Sequence, residues 1–254
     1  MSELFTEILG VKISIVNSYR KVYETLKLTS FVSSSYITVN NVHTVVEAVH
    51  NVTYKDIINS SFLSLPDGKP LSVVARLKGI KNISRIFGPT FFEKALDWGQ
   101  KDSIKHFFFG SNKETLDKMI EVIIEKYPKA KIVGIISPPY RVLTEKENTE
   151  YLRTINESNA DLIWIGLGAP KQEIWMYENY KKLNRGIMIG IGAGFDYLAG
   201  NTKHAPQWMK SFALEWLFRL FQEPQRLWKR YLVTNTLFII FLILESLRIK
   251  KYNK

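Results

Sequence analysis

The chain has 254 residues and an apolar fraction of 46%, enough for one large α/β domain or a domain with an appendage. It has no cysteine, which excludes a disulfide framework and any cysteine-based metal site. The net charge of +11 is concentrated at one end: ten Lys/Arg stand against three Glu from Lys203 onward, and 25 basic against 21 acidic groups before it. A basic tail attracts phosphates on nucleic acid, nucleotides or anionic lipids, although a soluble surface carries charge for no such reason.

The first residues, MSELFTEILGVKISIVNSYRKVY, lack a basic stretch followed by an apolar one, so no secretory signal is expected. Phe31–Val39 is β-branched and aromatic and predicts a strand ended by Asn40 and Asn41. A short helix through Val45, Val46 and Val49 follows. The stretch from Ile57 then holds a short apolar strand before the Asp67-Gly68 turn, and Leu71–Leu77 reads as a helix. Ile104–Phe109 is a continuous apolar strand closed by Gly110, with Ser111 or Asn112 capping the next helix. That helix carries Leu116, Met119, Ile120, Ile123 and Ile124 on one face, and Pro128 stops it. Strands at Lys131–Ile136, Asp161–Ile165 and Gly186–Ile191 alternate with helices at Glu145–Glu157 and Lys171–Leu183. This alternation predicts βαβ units and a parallel sheet.

After Gly200 the pattern changes. Trp208–Phe221 is aromatic nearly all round and predicts a helix, and Glu223-Pro224 marks a break, with Pro224 suited to open a second helix. Tyr231–Leu244 holds 14 residues without a charge, short of the ~20 that a span needs, so an interfacial or protein-packed helix is expected. Arg248, Lys250 and Lys251 follow it, as suits a helix end near anionic headgroups.

Chemistry concentrates in Asp161–Gly200, where two glycine-rich turns end two strands. Gly166-Leu167-Gly168-Ala169-Pro170 opens a helix whose N-terminal N–H groups suit phosphate, with Lys171 and Gln172 pointing to the same place. Gly190-Ile191-Gly192-Ala193-Gly194 imitates a dinucleotide fingerprint, but neither turn has the acidic residue expected about 20 positions on. That argues against a nicotinamide enzyme. There is no Asp-x-Asp, and the four histidines show no ligand spacing, so a bound diphosphate must be met by Arg, Lys and helix N-termini. Arg219 and Arg226 lie seven apart and share a face if the helix tolerates Pro224, and Arg230 continues that face. Each is equally an ordinary snorkelling residue. Asp67 is a general-base candidate at a strand end, although Asp-Gly is also a common turn; Asp196 is its rival, or a cap.

Taken together, these stretches resemble the WecG/TagA/CpsF glycosyltransferase family (glycosyltransferase family 26). The matching pieces are ADLIWIGLGAPKQEIWM, GIGAGFDYLAG, KHAPQWM, LEWLFRLFQEPQRLWKRYL, LPDG and RIFGP, with SPPYRVLT as a variant loop. The resemblance implies inverting, metal-independent and cofactor-free transfer from a UDP-sugar to a polyprenyl-diphosphate-linked saccharide in cell-surface polysaccharide synthesis. It implies a cytoplasmic enzyme, peripheral on the inner face of the membrane. It implies Asp67 as the base, Thr38 and Asn40 near the donor, Arg85 and Gln172 in the site, and Arg219, Arg226 and Arg230 on the diphosphate. Gly166, Gly168, Lys171, Gly192 and Asp196 complete the expected substrate-binding set. Two positions depart from the pattern: Thr90 stands where many members carry Asp, and His204 where they carry Arg. They bear on which sugar is accepted.

The expected fold is α/β, a Rossmann-like parallel-sheet core over residues 1–202 with a helical, membrane-contacting appendage over residues 203–254. Expected partners are the UDP-sugar, the lipid-linked acceptor and an anionic membrane surface, without nucleic acid; a homo-oligomer stays open. Two other classes remain: a soluble nucleotide-dependent enzyme such as an oxidoreductase, and a non-catalytic membrane-associated assembly protein.

Overall fold

The computed structural model describes residues 5–206, 208–209 and 214–252. Six parallel strands form the central sheet: β3 (Ser34–Asn40), β4 (Leu63–Pro66), β5 (Lys105–Gly110), β6 (Lys131–Ile136), β7 (Leu162–Gly166) and β8 (Gly186–Gly190), in the order β4-β3-β8-β7-β5-β6. A hairpin, β1 (Phe5–Ile8) with β2 (Val11–Ser14), forms a separate two-stranded sheet against β4, where the Ser14 hydroxyl accepts the Ser64 N–H at 3.0 Å.

The inner strands read as unbroken apolar runs because both faces are covered. Alternate side chains go to opposite sides. Phe108, Leu162, Trp164, Ile187 and Ile189 pack under α1 (Tyr19–Ser30), α5 (Gly88–Asp102), α6 (Lys113–Lys126) and α9 (Gly194–Leu198). Phe107, Phe109, Ile163, Ile165 and Met188 pack under α7 (Glu145–Ser158) and α8 (Lys171–Asn179). His106 lies wholly inside β5. Its Nδ1 accepts the Trp164 indole N–H at 3.1 Å, and burial holds its pKa down to about 3.

The predicted strands and helices of the middle region are present, and Asn112 supplies the cap of α6. Several expectations shift. The first strand starts at Ser34, not Phe31, because Phe31 caps α1 and Val32 is left 84% exposed. The helix expected through Leu183 ends at Asn179 and continues as one 3₁₀ turn, Tyr180–Lys182. Helices α2 (Val42–His50) and α4 (Lys69–Leu77) lie where expected, and α3 (Val52–Asn59) adds a helix ahead of β4.

The aromatic helix expected over Trp208–Phe221 is observed as α10 (Glu215–Gln222); residues 210–213 of that stretch lie outside the described residues. The chain breaks at Glu223, and α11 (Pro224–Ser246) follows, with Pro224 in its first turn. At 23 residues α11 is longer than its uncharged stretch suggested, long and apolar enough by composition to cross a membrane. One face is packed on protein: Phe238 and Tyr252 join the hairpin, α2, α3 and α4 in one cluster. Leu232, Val233, Ile239, Ile240 and Ile243 on α11 are exposed.

Candidate active site

Every carboxyl end of the sheet points the same way, and both parts of the site lie along that edge. The first part sits at β3 and β4. Asp67 follows β4 directly, and its backbone N–H donates to the Asn40 carbonyl at 2.8 Å. Its Oδ1 accepts the Gly88 N–H at 3.2 Å, at the first turn of α5, where the helix dipole favours an anion. Arg85 brings Nη2 within 4.0 Å of the same oxygen, donates Nε–H to the Asp67 carbonyl, and pairs through Nη1 with Glu215 of α10. The Asp67 side chain keeps 19% of its surface exposed. Burial pushes its pKa up; Arg85, the Gly88 N–H and Arg219 act in the opposite direction.

Two aromatic rings hold these guanidinium groups. Arg85 lies 4.6 Å from the ring centroid of Phe87, Phe87 meets Tyr197 edge-to-face at 5.6 Å, and Arg219 lies 5.7 Å from Tyr197. Burial pushes Tyr197 up to about 12, so it stays neutral. The His204 ring lies tilted against Tyr197 at 4.7 Å, and its Nε2 is 3.3 Å from Glu93. Thr38 and Asn40 lie beneath this corner, fully buried. Asn40 donates to Thr38 and to Ser64, each at 2.8 Å, and its Oδ1 has no partner among the described residues.

The second part is a cleft of about 1010 Å³ at the ends of β5, β6 and β7. Gly166, Lys171, Asp196 and Arg226 line it, together with Ser111, Ser137 and the Pro138–Thr144 loop. Tyr140 on that loop is 94% exposed, with Lys171 Nζ 4.5 Å from its ring centroid. Gly168 at φ +76° and Gly192 at φ +50° shape the two turns in a backbone region that favours glycine. Gln172 is 4% exposed. Its Oε1 accepts from Gly168 N–H at 3.2 Å and from Gly192 N–H at 3.1 Å, so it clasps one turn to the other from below.

The arginines join the two parts. Arg219 and Arg226 do not share one continuous helix face, because the break at Glu223–Pro224 separates α10 from α11. Glu223 gathers them instead: Oε1 is 3.8 Å from Arg219, and Oε2 is 2.5 Å from Arg226. Arg219 acts on Asp67, whereas Arg226, 62% exposed, lines the cleft. Arg230 lies deeper and feels both of the others. Burial lowers its pKa, and its Nε has no partner among the described residues. No group of three His, Asp or Glu side chains suited to a metal ion occurs among the described residues.

At one part of the sheet edge a carboxylate lies among guanidinium groups, at the other Gly166 and Lys171 line a cleft, and the last helix exposes apolar residues. A profile of the glycosyl transferase WecG/TagA/CpsF family matches residues 6–252. The chain belongs to that family. It is similar to the N-acetylglucosaminyldiphosphoundecaprenol N-acetyl-beta-D-mannosaminyltransferase of Bacillus subtilis strain 168, with 34% identity over 186 residues, 73% of this chain and 70% of the relative. A protein of the same name in Bacillus spizizenii strain W23 is 31% identical over 217 residues, 81% of this chain and 82% of the relative. The protein is therefore a glycosyltransferase, and the oxidoreductase and non-catalytic alternatives fall away.

Several residues of the candidate site carry little signal in one dimension. Phe87 and Tyr197 look like core aromatics in one dimension. Glu215 and Glu223 look like solvated helix charges. Helix α5 was not expected, although Pro89 suits a helix N-terminus; its first turn is where the Asp67 side chain finds the Gly88 N–H.

Proposed function

We propose that this transferase moves an N-acetylmannosamine-type sugar or another hexose from a UDP-sugar to a polyprenyl-diphosphate-linked saccharide, with inversion and without a metal ion. The polymer is a cell-surface polysaccharide such as teichoic acid, capsule or exopolysaccharide. The observation that carries this reading is Asp67, a half-buried carboxylate held among Arg85, Arg219 and the α5 N-terminus, with Glu223 linking Arg219 to Arg226 on the cleft wall. The names of the two relatives support the class of acceptor.

Asp67 takes the proton of the acceptor hydroxyl, whose oxygen attacks the anomeric carbon on the face opposite UDP. The bond from that carbon to the phosphate oxygen breaks, and its electron pair leaves with the diphosphate. Arg219 and Arg226 stabilise the charge that develops there, the largest kind of contribution in such transfers. Lys171 and the glycine turns hold the donor, with Asp196 on the cleft wall. Thr38, Asn40 and Gln172 act from beneath, setting the strand ends and turns that carry the reacting groups.

The exposed apolar face of α11, with Lys250 and Lys251 after it, suits peripheral contact with anionic lipid at the cytoplasmic face of the membrane. The test is UDP release from a panel of UDP-sugars with GlcNAc-diphosphopolyprenol as acceptor, with and without EDTA. Acceptor-dependent release that survives EDTA is expected with one donor. Release without any acceptor dependence, or only with added divalent ion, would overturn the reading.

A further inference from the structure

The residue after Gln172 is a carboxylate with no contact to solvent. Glu173 is 0% exposed, on the first turn of α8. A charge placed there is costly unless something uses it, and a leucine of similar size would avoid that cost. Burial pushes the Glu173 pKa up, opposed by hydrogen bonds from Gln172 and Tyr54 and by the charge of Arg230. Its Oε1 accepts from Gln172 Nε2 at 2.7 Å, and its Oε2 accepts the Tyr54 hydroxyl at 3.2 Å.

The geometry restricts Gln172 to one orientation. An amide side chain has a donor end and an acceptor end of nearly equal size. Glu173 accepts only from the donor end. That turns Oε1 upward to the N–H groups of Gly168 and Gly192, 20 positions apart from Gln172 in the second case. With the amide reversed, Nε2 would face two N–H donors, and Oε1 would face a carboxylate.

We propose that Glu173 is a positioning residue for the donor site: it selects the orientation of the Gln172 amide and thereby holds the two glycine turns at the spacing that receives the donor. The inference rests on reading those turns as the donor cradle. Tyr54 on α3 steadies Glu173 from the opposite side.

The test is hydrogen exchange at the Gly168 and Gly192 amides, with calorimetric UDP binding, in wild type, Glu173→Gln, Glu173→Met and Tyr54→Phe. Glu173→Gln keeps an acceptor for Gln172, so both amides stay protected and the UDP Kd stays within about threefold of wild type. Glu173→Met removes the acceptor; both amides exchange at least ~10-fold faster, and the UDP Kd rises ~10-fold. Tyr54→Phe shifts the same quantities about two- to threefold, so the outcome does not depend on Glu173→Met folding. Unchanged exchange in both Glu173→Met and Tyr54→Phe overturns the relay. Accelerated exchange with unchanged UDP affinity overturns the positioning role. If wild type binds no UDP, the donor-site reading fails instead, and the exchange rates still decide the relay.

Discussion

The glycine-turn side of the site and the Asp67 side are held by different forces. On the first, Gln172 binds two backbone N–H groups at 3.1 and 3.2 Å, and all the parts come from one βαβ stretch. On the second, Asp67 is held by the nearby Arg85 guanidinium and the α5 N-terminus, and by the charge of Arg219 from α10, a segment far along the chain. Hydrogen bonds between neutral groups are little screened by salt. Charge contacts at a half-exposed corner depend on salt and pH, and on whether α10 and α11 are seated. The difference separates a permanent floor from a roof whose strength is conditional.

The largest test removes the charge at the centre of the conditional side. Asp67→Asn should lower turnover by about three orders of magnitude, in line with loss of a general base. Its melting temperature should stay at or above wild type, since the variant no longer buries a carboxylate. UDP release and thermal melts report the two; turnover near wild type would remove Asp67 as the base. In the unmutated enzyme the raised Asp67 pKa places the acidic limb of the rate profile above the ordinary carboxylate range, because the base works only when ionised.

The roof itself is tested next. Arg219→Ala should cost about 10²-fold in kcat, and Arg219→Lys should recover little, because a planar guanidinium rests on Tyr197. Arg226→Ala should cost about 10-fold, since that side chain is 62% exposed and more strongly screened. Equal losses would contradict the ordering by burial. A third, smaller effect concerns the outer face of α11. Leu232→Asn combined with Ile240→Asn should weaken binding to anionic liposomes about 10-fold while leaving UDP affinity unchanged, measured by co-sedimentation and calorimetry.

The smallest test addresses two histidines away from both sides. His106 and His43 are held neutral by burial, with pKa values lowered to about 3 and about 4; Arg230 contributes to the second. Unfolded, both bind a proton near pH 6.5. Their contribution to stability is therefore complete above about pH 6.5 and is lost as pH falls toward the folded values. Melting temperature should decline by a few degrees between pH 6.5 and 4.5, and His106→Gln should flatten that slope. An unchanged slope would remove His106 from the acid response.

The contrast also marks what one dimension carried. The strands β5 to β8 were legible because continuous apolar runs end at Gly or Pro, and their alternation with amphipathic helices implied the parallel sheet. Helices α1 and α5 bury Val22, Tyr23 and Leu26, and Phe91, Phe92, Ala95 and Leu96, at helical spacing, a signal that was present but not drawn out. Asp67, Arg85 and Gln172 were legible through motif resemblance. Gln172 is nevertheless buried as a clasp, and Thr38 and Asn40 lie under the corner rather than on the cleft wall.

By itself, the amino-acid sequence determined the parallel α/β class, the glycine turns at strand ends, the break at Pro224 and the basic, apolar C-terminus, since each follows from local periodicity and backbone preference. Only the tertiary structure decided the strand order that sets Asp67 near Arg219, the Phe87–Tyr197 pair beside two guanidinium groups, and the pairing of Arg85 with Glu215. Those depend on contacts between residues distant in the chain, and neither spacing nor composition encodes which distant charges will share one corner.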